Sequence, residues 1–371
     1  MGTCRTYAIQ TNLFIINMKK KILFFIQNGV GGAERMTINI AKLLPPSEWD
    51  ITLCKVSIPF EIQNGRIDDF IPKNIKLTNV SWSSQLSFIW QLWKIVDNQK
   101  PDIVFSSVMP YNQRLLLLKP FFKDTKFIVR NDNYLFTISR LKKYVMRVTY
   151  KQASTIIAQT KEMKDELCKL GLNSEKIVVL HNLIDEELIK RKACESSPFP
   201  KDSKIRFISV GRFAPQKGFD ILVKAFKIVN DRIPDTELYI VGSFDGEGKV
   251  VFDELCRIID ALKLDGKVQF TGYTDNPYKY IKNSSVYVLS SRYEGLPNVL
   301  VEAQFLGIPS AAIKCIPIIS RMIKDGENGF LAEPENPDSL ANAMISACAM
   351  KKIKQIYKPS SRKDFINIFQ S

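Results

Sequence analysis

Two glutamates, Glu294 and Glu302, stand eight positions apart in Tyr293-Glu294-Gly295-Leu296-Pro297-Asn298-Val299-Leu300-Val301-Glu302-Ala303. Proline is favoured in the first turn of a helix, so Pro297 predicts a helix that carries Glu302 and leaves Glu294 in the loop ahead of it. Eight helical residues rise about 12 Å, too far for two carboxylates to share one scissile bond. Holding separate hydroxyls of one ligand suits them better. Gly295, Asn298 and Val299 lie where the free amides of a helix start would meet a phosphate or sugar oxygen. The competing reading is a capping Glu294 and a solvated Glu302.

Arg212 and Lys217 share the loop Gly211-Arg212-Phe213-Ala214-Pro215-Gln216-Lys217-Gly218. Two fixed cations in one loop suit a pyrophosphate whose charge grows as its bond to another group breaks. An exposed Arg and Lys without a task is the alternative. Gly31 and Gly32, in Gly29-Val30-Gly31-Gly32-Ala33-Glu34-Arg35, would let a helix start approach an anion closely. The segment does not satisfy G-x-G-x-x-G, and a plain strand-to-helix turn competes with the anion reading. His181 is the single histidine, which leaves little room for Ser-His-Asp or Cys-His chemistry and points to a structural, hinge-side residue. The chain has no Asp-x-Asp pair, and its seven cysteines show no C-x-x-C spacing. No metal site and no disulfide framework are expected, and a reducing cytoplasm fits.

These residues need strands to carry them. Short β-branched and aromatic runs recur at Ile22 to Gln27, Ile51 to Val56, Ile103 to Val108, Phe127 to Arg130, Thr155 to Ala158 and Ile177 to Leu180. They resume at Arg206 to Val210, Glu237 to Val241, Val268 to Phe270, Val286 to Leu289 and Pro309 to Ile313, between amphipathic stretches such as Phe219 to Asn230 and Phe252 to Leu262. The rhythm predicts two α/β domains, each a Rossmann-like doubly wound unit, facing a central cleft at the carboxyl ends of their strands. We expect domains over 18–195 and 204–350 joined by the linker 196–203. A C-terminal segment, 351–371, would be helical at its apolar end and pack back on the first domain. Residues 1–17 make a poor signal peptide and read as an extension ahead of a start at Met18.

The net charge of +15 is concentrated in residues 1–200, with 29 basic against 18 acidic side chains, compared with 24 against 20 in the remainder. Such a field draws anions without choosing among nucleic acid, lipid headgroups and diphosphates. No run of 18 apolar residues appears, so an integral membrane protein is not expected.

With these motifs in this order, the chain resembles glycosyltransferase family 4, the retaining GT-B enzymes also called group 1 glycosyl transferases. The resemblance rests on Gly31-Gly32-Ala33-Glu34-Arg35, Arg212 with Lys217, the E-x7-E pair Glu294 and Glu302, and Asp325-Gly326-Glu327-Asn328-Gly329-Phe330. It implies that Arg212 and Lys217 grip the donor diphosphate, Glu294 binds a donor-sugar hydroxyl, and Glu302 holds the ribose. Arg212, Lys217 and Glu294 are then the catalytic residues. Gly31, Gly32, Gly295, Asn298 and Val299 complete the donor site. Similar members carry Arg-Asn-Asp after the fourth strand, here Arg130-Asn131-Asp132, on the acceptor side of the cleft. The family's favoured mechanism needs no protein base, because the leaving phosphate takes the acceptor's proton.

One segment departs from the pattern. Where the family has a Gly-rich turn followed by Glu, this chain reads Cys315-Ile316-Pro317-Ile318-Ile319-Ser320-Arg321, which puts donor contacts there in doubt.

The resemblance implies transfer of a hexose or N-acetylhexosamine from a UDP-sugar, without a metal or other cofactor. The acceptor would be lipid-linked or a polysaccharide, in capsule, O-antigen or exopolysaccharide synthesis. The basic segments Tyr111 to Lys126 and Arg140 to Lys151 suggest a cytoplasmic protein resting peripherally on the anionic inner face of the membrane, with no nucleic-acid partner. Alternatives are an epimerase or hydrolase of the same fold, a non-catalytic basic surface-binding protein, and an inactive relative.

Overall fold

The computed structural model describes residues 19–29, 31–57, 67–246, 248–350, 353 and 355–370. The expectations for residues 1–17 and the start at Met18 fall outside them. Among the described residues, thirteen strands run in chain order: β1 (Lys20–Gln27), β2 (Trp49–Val56), β3 (Lys76–Val80), β4 (Ile103–Ser106), β5 (Lys126–Asn131), β6 (Thr155–Ala158), β7 (Ile177–Val179), β8 (Ile205–Val210), β9 (Thr236–Val241), β10 (Val268–Gly272), β11 (Val286–Leu289), β12 (Ser310–Ile313) and β13 (Gly329–Ala332). They form two sheets, ordered β3-β2-β1-β4-β5-β6-β7 and β10-β9-β8-β11-β12-β13, with every pairing parallel. Each order reverses beside its first strand, which opens a crevice at the strand carboxyl ends.

Two strands lack the apolar run that marks the others. β3 is an edge strand, with Val80 its one buried residue, and β13 is only Gly-Phe-Leu-Ala. The central strands are buried on both faces, as helix-covered parallel sheets require, whereas the edge strands β7 and β10 each keep a single buried residue.

One cluster of buried side chains runs from Leu23 and Phe25 in the first sheet to Tyr287 and Leu300 in the second domain. The two domains therefore share apolar packing. Helix Glu186–Ala193, which sequence position places in the first domain, leans on the second. Lys192 Nζ donates to the Asp275 carbonyl at 2.8 Å, and Asn276 Nδ2 donates to the Lys192 carbonyl at 3.0 Å. The chain then returns. Helix Arg362–Gln370 inserts Phe365 and Phe369 into the first domain's core, where the Phe369 ring lies 6.0 Å from Phe24, 5.8 Å from Phe105 and 6.4 Å from Trp49.

His181 stands where this return crosses the domain junction. Its ring Nδ1 is 2.8 Å from the Gln159 carbonyl, its backbone N–H donates to Ser360 Oγ at 2.8 Å, and its ring meets Tyr357 edge-on. Burial lowers its pKa, which keeps the ring neutral near pH 7.

Candidate active site

The loops leaving β8 and β11 are stitched to each other. Arg292 N–H donates to the Gln216 carbonyl at 2.8 Å, Gln216 Nε2 donates to the Tyr293 carbonyl at 2.9 Å, and Ser290 Oγ donates to the Lys217 carbonyl at 2.8 Å. Arg292 adds a fork to Asp220, with both N–H···O distances 2.8 Å. Such close docking requires glycine at 218. Its φ is +59°, and a β-carbon there would sit 2.2 Å from the Ser290 carbonyl oxygen.

This frame places the charged side chains. Lys217 Nζ meets Glu294 Oε1 at 2.7 Å, and Ser291 Oγ donates to the same oxygen at 2.6 Å. Glu294 is nearly buried, and these two donors satisfy Oε1 within the protein. Arg212 is exposed, while the next residue, Phe213, is sunk among the rings of Phe219, Phe244, Phe252 and Phe270. The loop is anchored and its cation is presented to solvent.

Two helix starts face each other across the cleft. Gly31 caps helix Gly32–Leu43 of the first domain, and Pro297 caps helix Asn298–Phe305 of the second. Pro297 thus precedes the first turn predicted to hold it. The starts nearly touch, for a β-carbon on Gly32 would lie 3.6 Å from Asn298 Nδ2. Free amides and aligned peptide dipoles from both domains converge on one anion-favouring region.

Between them lies a cavity of about 390 Å³ whose lining includes Gly31, Gly32, Arg212, Lys217, Glu294, Asn298, Val299 and Glu302. Eight of the nine predicted donor-site residues therefore share one space. The ninth, Gly295, lies behind it, because its backbone presses on the first domain. A β-carbon on Gly295 would be 2.1 Å from the Asp132 carbonyl oxygen, which leaves glycine as the residue that fits.

Arg130, Asn131 and Asp132, expected on the acceptor side of the cleft, do not line this cavity. Arg130 is 1% exposed and donates to Asn182 Oδ1, while Asn131 donates from Nδ2 to the Asn133 carbonyl at 2.7 Å. Burial lowers the Arg130 guanidinium to about 10, against the pull of Asp132 and Glu34, so it remains a cation at neutral pH. Burial likewise pushes the Asp132 carboxyl up to about 6.

Two cavity residues were not singled out by the sequence. Arg35 Nη2 donates to the Tyr278 hydroxyl at 3.2 Å, and that hydroxyl donates to Glu302 Oε1 at 3.3 Å. A first-domain cation thus reaches the second domain's glutamate through one phenol. Burial pushes the Glu302 carboxyl up to about 7, although Arg35 and Tyr278 both favour its charge. Arg35 appeared in the sequence as one residue of a glycine loop, and no spacing links it to Tyr278.

The departing segment also has a place. Ile316, Ile318 and Ile319 are buried, and Arg321 forms an ion pair with Glu162 of the first domain. Where a glycine turn would have bent over the ligand, an apolar corner instead joins the shared core. Among the described residues, no three His, Cys, Asp or Glu side chains gather as a metal-holding group, and no helix is long and apolar enough to cross a membrane.

Comparison with known proteins places the chain in a family. The model of Glycosyltransferase Family 4 matches residues 30–188, and that of Glycosyl transferases group 1 matches 190–364. The chain is 28% identical to the N-acetylgalactosamine-N,N'-diacetylbacillosaminyl-diphospho-undecaprenol 4-alpha-N-acetylgalactosaminyltransferase of Campylobacter jejuni, over 93% of this chain and 94% of that one. It is 25% identical to the UDP-Gal:alpha-D-GlcNAc-diphosphoundecaprenol alpha-1,3-galactosyltransferase of Escherichia coli, over 92% and 90%. Among solved structures, Anabaena Alr3699/HepE in complex with UDP and glucose matches with a TM-score of 0.74 at 22% identity, covering 89% of each chain. Both halves are matched and both sheets close on one cleft, so the chain belongs to glycosyltransferase family 4 and has the GT-B fold.

Proposed function

We propose that this glycosyltransferase moves a hexose or N-acetylhexosamine from a UDP-sugar to a lipid-linked or polysaccharide acceptor, with retention, in the assembly of a cell-surface glycan. The observation that carries the donor half is the cavity in which two helix starts, Arg212, and the Lys217–Glu294 pair converge. The bond from the anomeric carbon to the diphosphate oxygen breaks, and its electron pair stays on the diphosphate. Arg212, Lys217 and the amides stabilise that growing charge in place of a metal ion. The acceptor oxygen bonds to the same face of the sugar, and its proton passes to the leaving phosphate. Glu294 takes a sugar hydroxyl and Glu302 the ribose. A diphospho-undecaprenol acceptor and a UDP donor both occur in the names of full-length relatives, which supports this choice of substrates.

The acceptor half of the proposal includes contact with a membrane surface, for which the exposed side chains of the first domain are the support. Leu115, Leu116 and Leu118 of the basic segment Tyr111 to Lys126 are core residues, which leaves Leu117 and Phe121 as its exposed large apolar side chains. The exposed apolar face belongs to helix Arg140–Thr149, where Leu141, Tyr144, Val145 and Val148 share one side flanked by Arg140, Lys143 and Arg147. Helix Gln85–Gln99 exposes Leu86 and Trp90 as well, and its Gln85 accepts a hydrogen bond from Arg114 of the basic segment. This layer suits a cytoplasmic protein resting on an anionic bilayer.

One assay tests both halves. UDP-hexoses and UDP-N-acetylhexosamines are incubated with the protein, with and without a polyprenyl-diphosphate-linked acceptor in phosphatidylglycerol vesicles. Release of UDP that requires the acceptor is expected, and so is salt-sensitive co-sedimentation with these vesicles that Leu141→Glu abolishes. Acceptor-independent release would favour an epimerase or hydrolase, and equal binding to phosphatidylcholine would remove the anionic surface.

The Glu302 carboxyl adds a pH dependence. Its ionised form accepts ribose hydroxyls, so protonation below its value near 7 removes an acceptor. UDP affinity measured by calorimetry should fall several-fold from about pH 8 to about pH 6, and Glu302→Gln should flatten the profile. A profile that stays equally steep in Glu302→Gln would assign the titration elsewhere.

A further inference from the structure

A hydrogen-bond chain crosses the domain junction beneath the cavity, and its polarity is fixed at one end. Arg130 has donors and no acceptor, so the Asn182 atom that it meets must be the carbonyl oxygen Oδ1. The Asn182 amide is thereby committed to donating from Nδ2, and Asn298 Oδ1 accepts at 2.5 Å. An amide whose oxygen is taken turns its nitrogen the other way. Asn298 Nδ2 faces Gly32 across the cavity and has no acceptor among the described residues.

We infer that Arg130 and Asn182 are positioning residues which lock the Asn298 side chain with its N–H donors toward the ligand, making Asn298 Nδ2 a diphosphate-binding group. An unlocked asparagine could present either end, and the oxygen end would repel an anion. Arg130 is suited to the task because it is buried and stays a cation, so nothing outside the chain competes to set the direction. Its strand end is itself held, since Asn112 Nδ2 donates to the Arg130 carbonyl at 3.0 Å. The inference rests on the donor reading above and reassigns Arg130 from acceptor contact to the support of the donor site.

Asn182→Asp tests it with a minimal change of shape. The new carboxylate still accepts from Arg130, so the buried cation stays paired, but it cannot donate to Asn298. The Asn298 amide must then turn its nitrogen to the carboxylate and its oxygen to the cavity. Calorimetry with UDP and with uridine, on wild type and variant, separates the phosphate from the nucleoside. The expected result is a loss of about tenfold in UDP affinity, uridine affinity unchanged and no fall in the thermal unfolding midpoint. In an Asn298→Ala background, Asn182→Asp should cost UDP affinity nothing further.

A loss below about fivefold for UDP, an equal loss for uridine, or full additivity with Asn298→Ala overturns the relay. Asn182→Ala gives a second readout if Asn182→Asp folds poorly. It frees Asn298 without reversing it, so its UDP loss should be smaller than that of Asn298→Ala, and a larger one would overturn the relay. A wild type that binds neither UDP nor UDP-sugars overturns the donor reading itself, and the relay with it.

Discussion

Arg212→Ala is expected to lower the rate of sugar transfer by about 10²- to 10³-fold and to leave the thermal unfolding midpoint where it was. The two halves of that outcome have separate causes. Arg212 is exposed, lines the cavity and forms no ion pair among the described residues, so folding loses nothing with it. The loop keeps its course because Phe213, packed among four rings, anchors it. What disappears is a fixed positive charge at a diphosphate whose charge rises only as the sugar departs. The loss should therefore fall on kcat rather than on donor affinity. Lys217→Ala makes an instructive contrast. It also strips the nearly buried Glu294 of its 2.7 Å partner, so activity and stability should fall together. Steady-state transfer assays and thermal melts on both variants distinguish these cases. An Arg212→Ala enzyme that keeps kcat within about tenfold would remove Arg212 from the catalytic set.

Phe369→Ala should destabilise the protein by about 3–5 kcal/mol, although the residue is remote in sequence from the core that it fills. The ring is 1% exposed and lies against Phe24, Phe105 and Trp49. Its removal leaves a cavity lined by rigid rings on the adjacent strands β2, β1 and β4, where little can collapse to fill it. Urea unfolding followed by tryptophan emission reads the loss, because Trp49 is one of the contacts. A change below about 1 kcal/mol would mean that the C-terminal helix merely covers the first domain without completing its core.

The strands of both sheets are legible in the sequence where burial on both faces writes an apolar run. β3 is not, because an edge strand with three polar residues in five carries no such run, and β13 is too short to show one. The donor residues were legible for a related reason. Arg212, Lys217, Glu294 and Glu302 follow strands whose carboxyl ends must face the cleft, so position alone brings them together. The contacts made across the cleft were not. Tyr278 between Arg35 and Glu302, and Asn182 between Arg130 and Asn298, depend on how two separately wound domains meet, and no local periodicity records that. Arg130 is the sharpest case. A cation at a strand end looks ready for ligand, and only the burial around it shows that it supports another residue.

The return of the chain to its first domain bears on how the protein is made. Phe365 and Phe369 complete a core whose other members belong to segments that end near Leu183. During synthesis the first sheet must wait for residues emerging about 190 positions later, on the order of 10–40 seconds at typical elongation rates. Throughout that interval Phe24, Trp49 and Phe105 lack their closing aromatic partner. The second domain, whose outer core draws on 205–348, has no such debt and can settle first. Vectorial emergence from the ribosome would then favour folding from the middle of the chain, and the first domain's unfilled groove is where a nascent-chain chaperone would find its foothold.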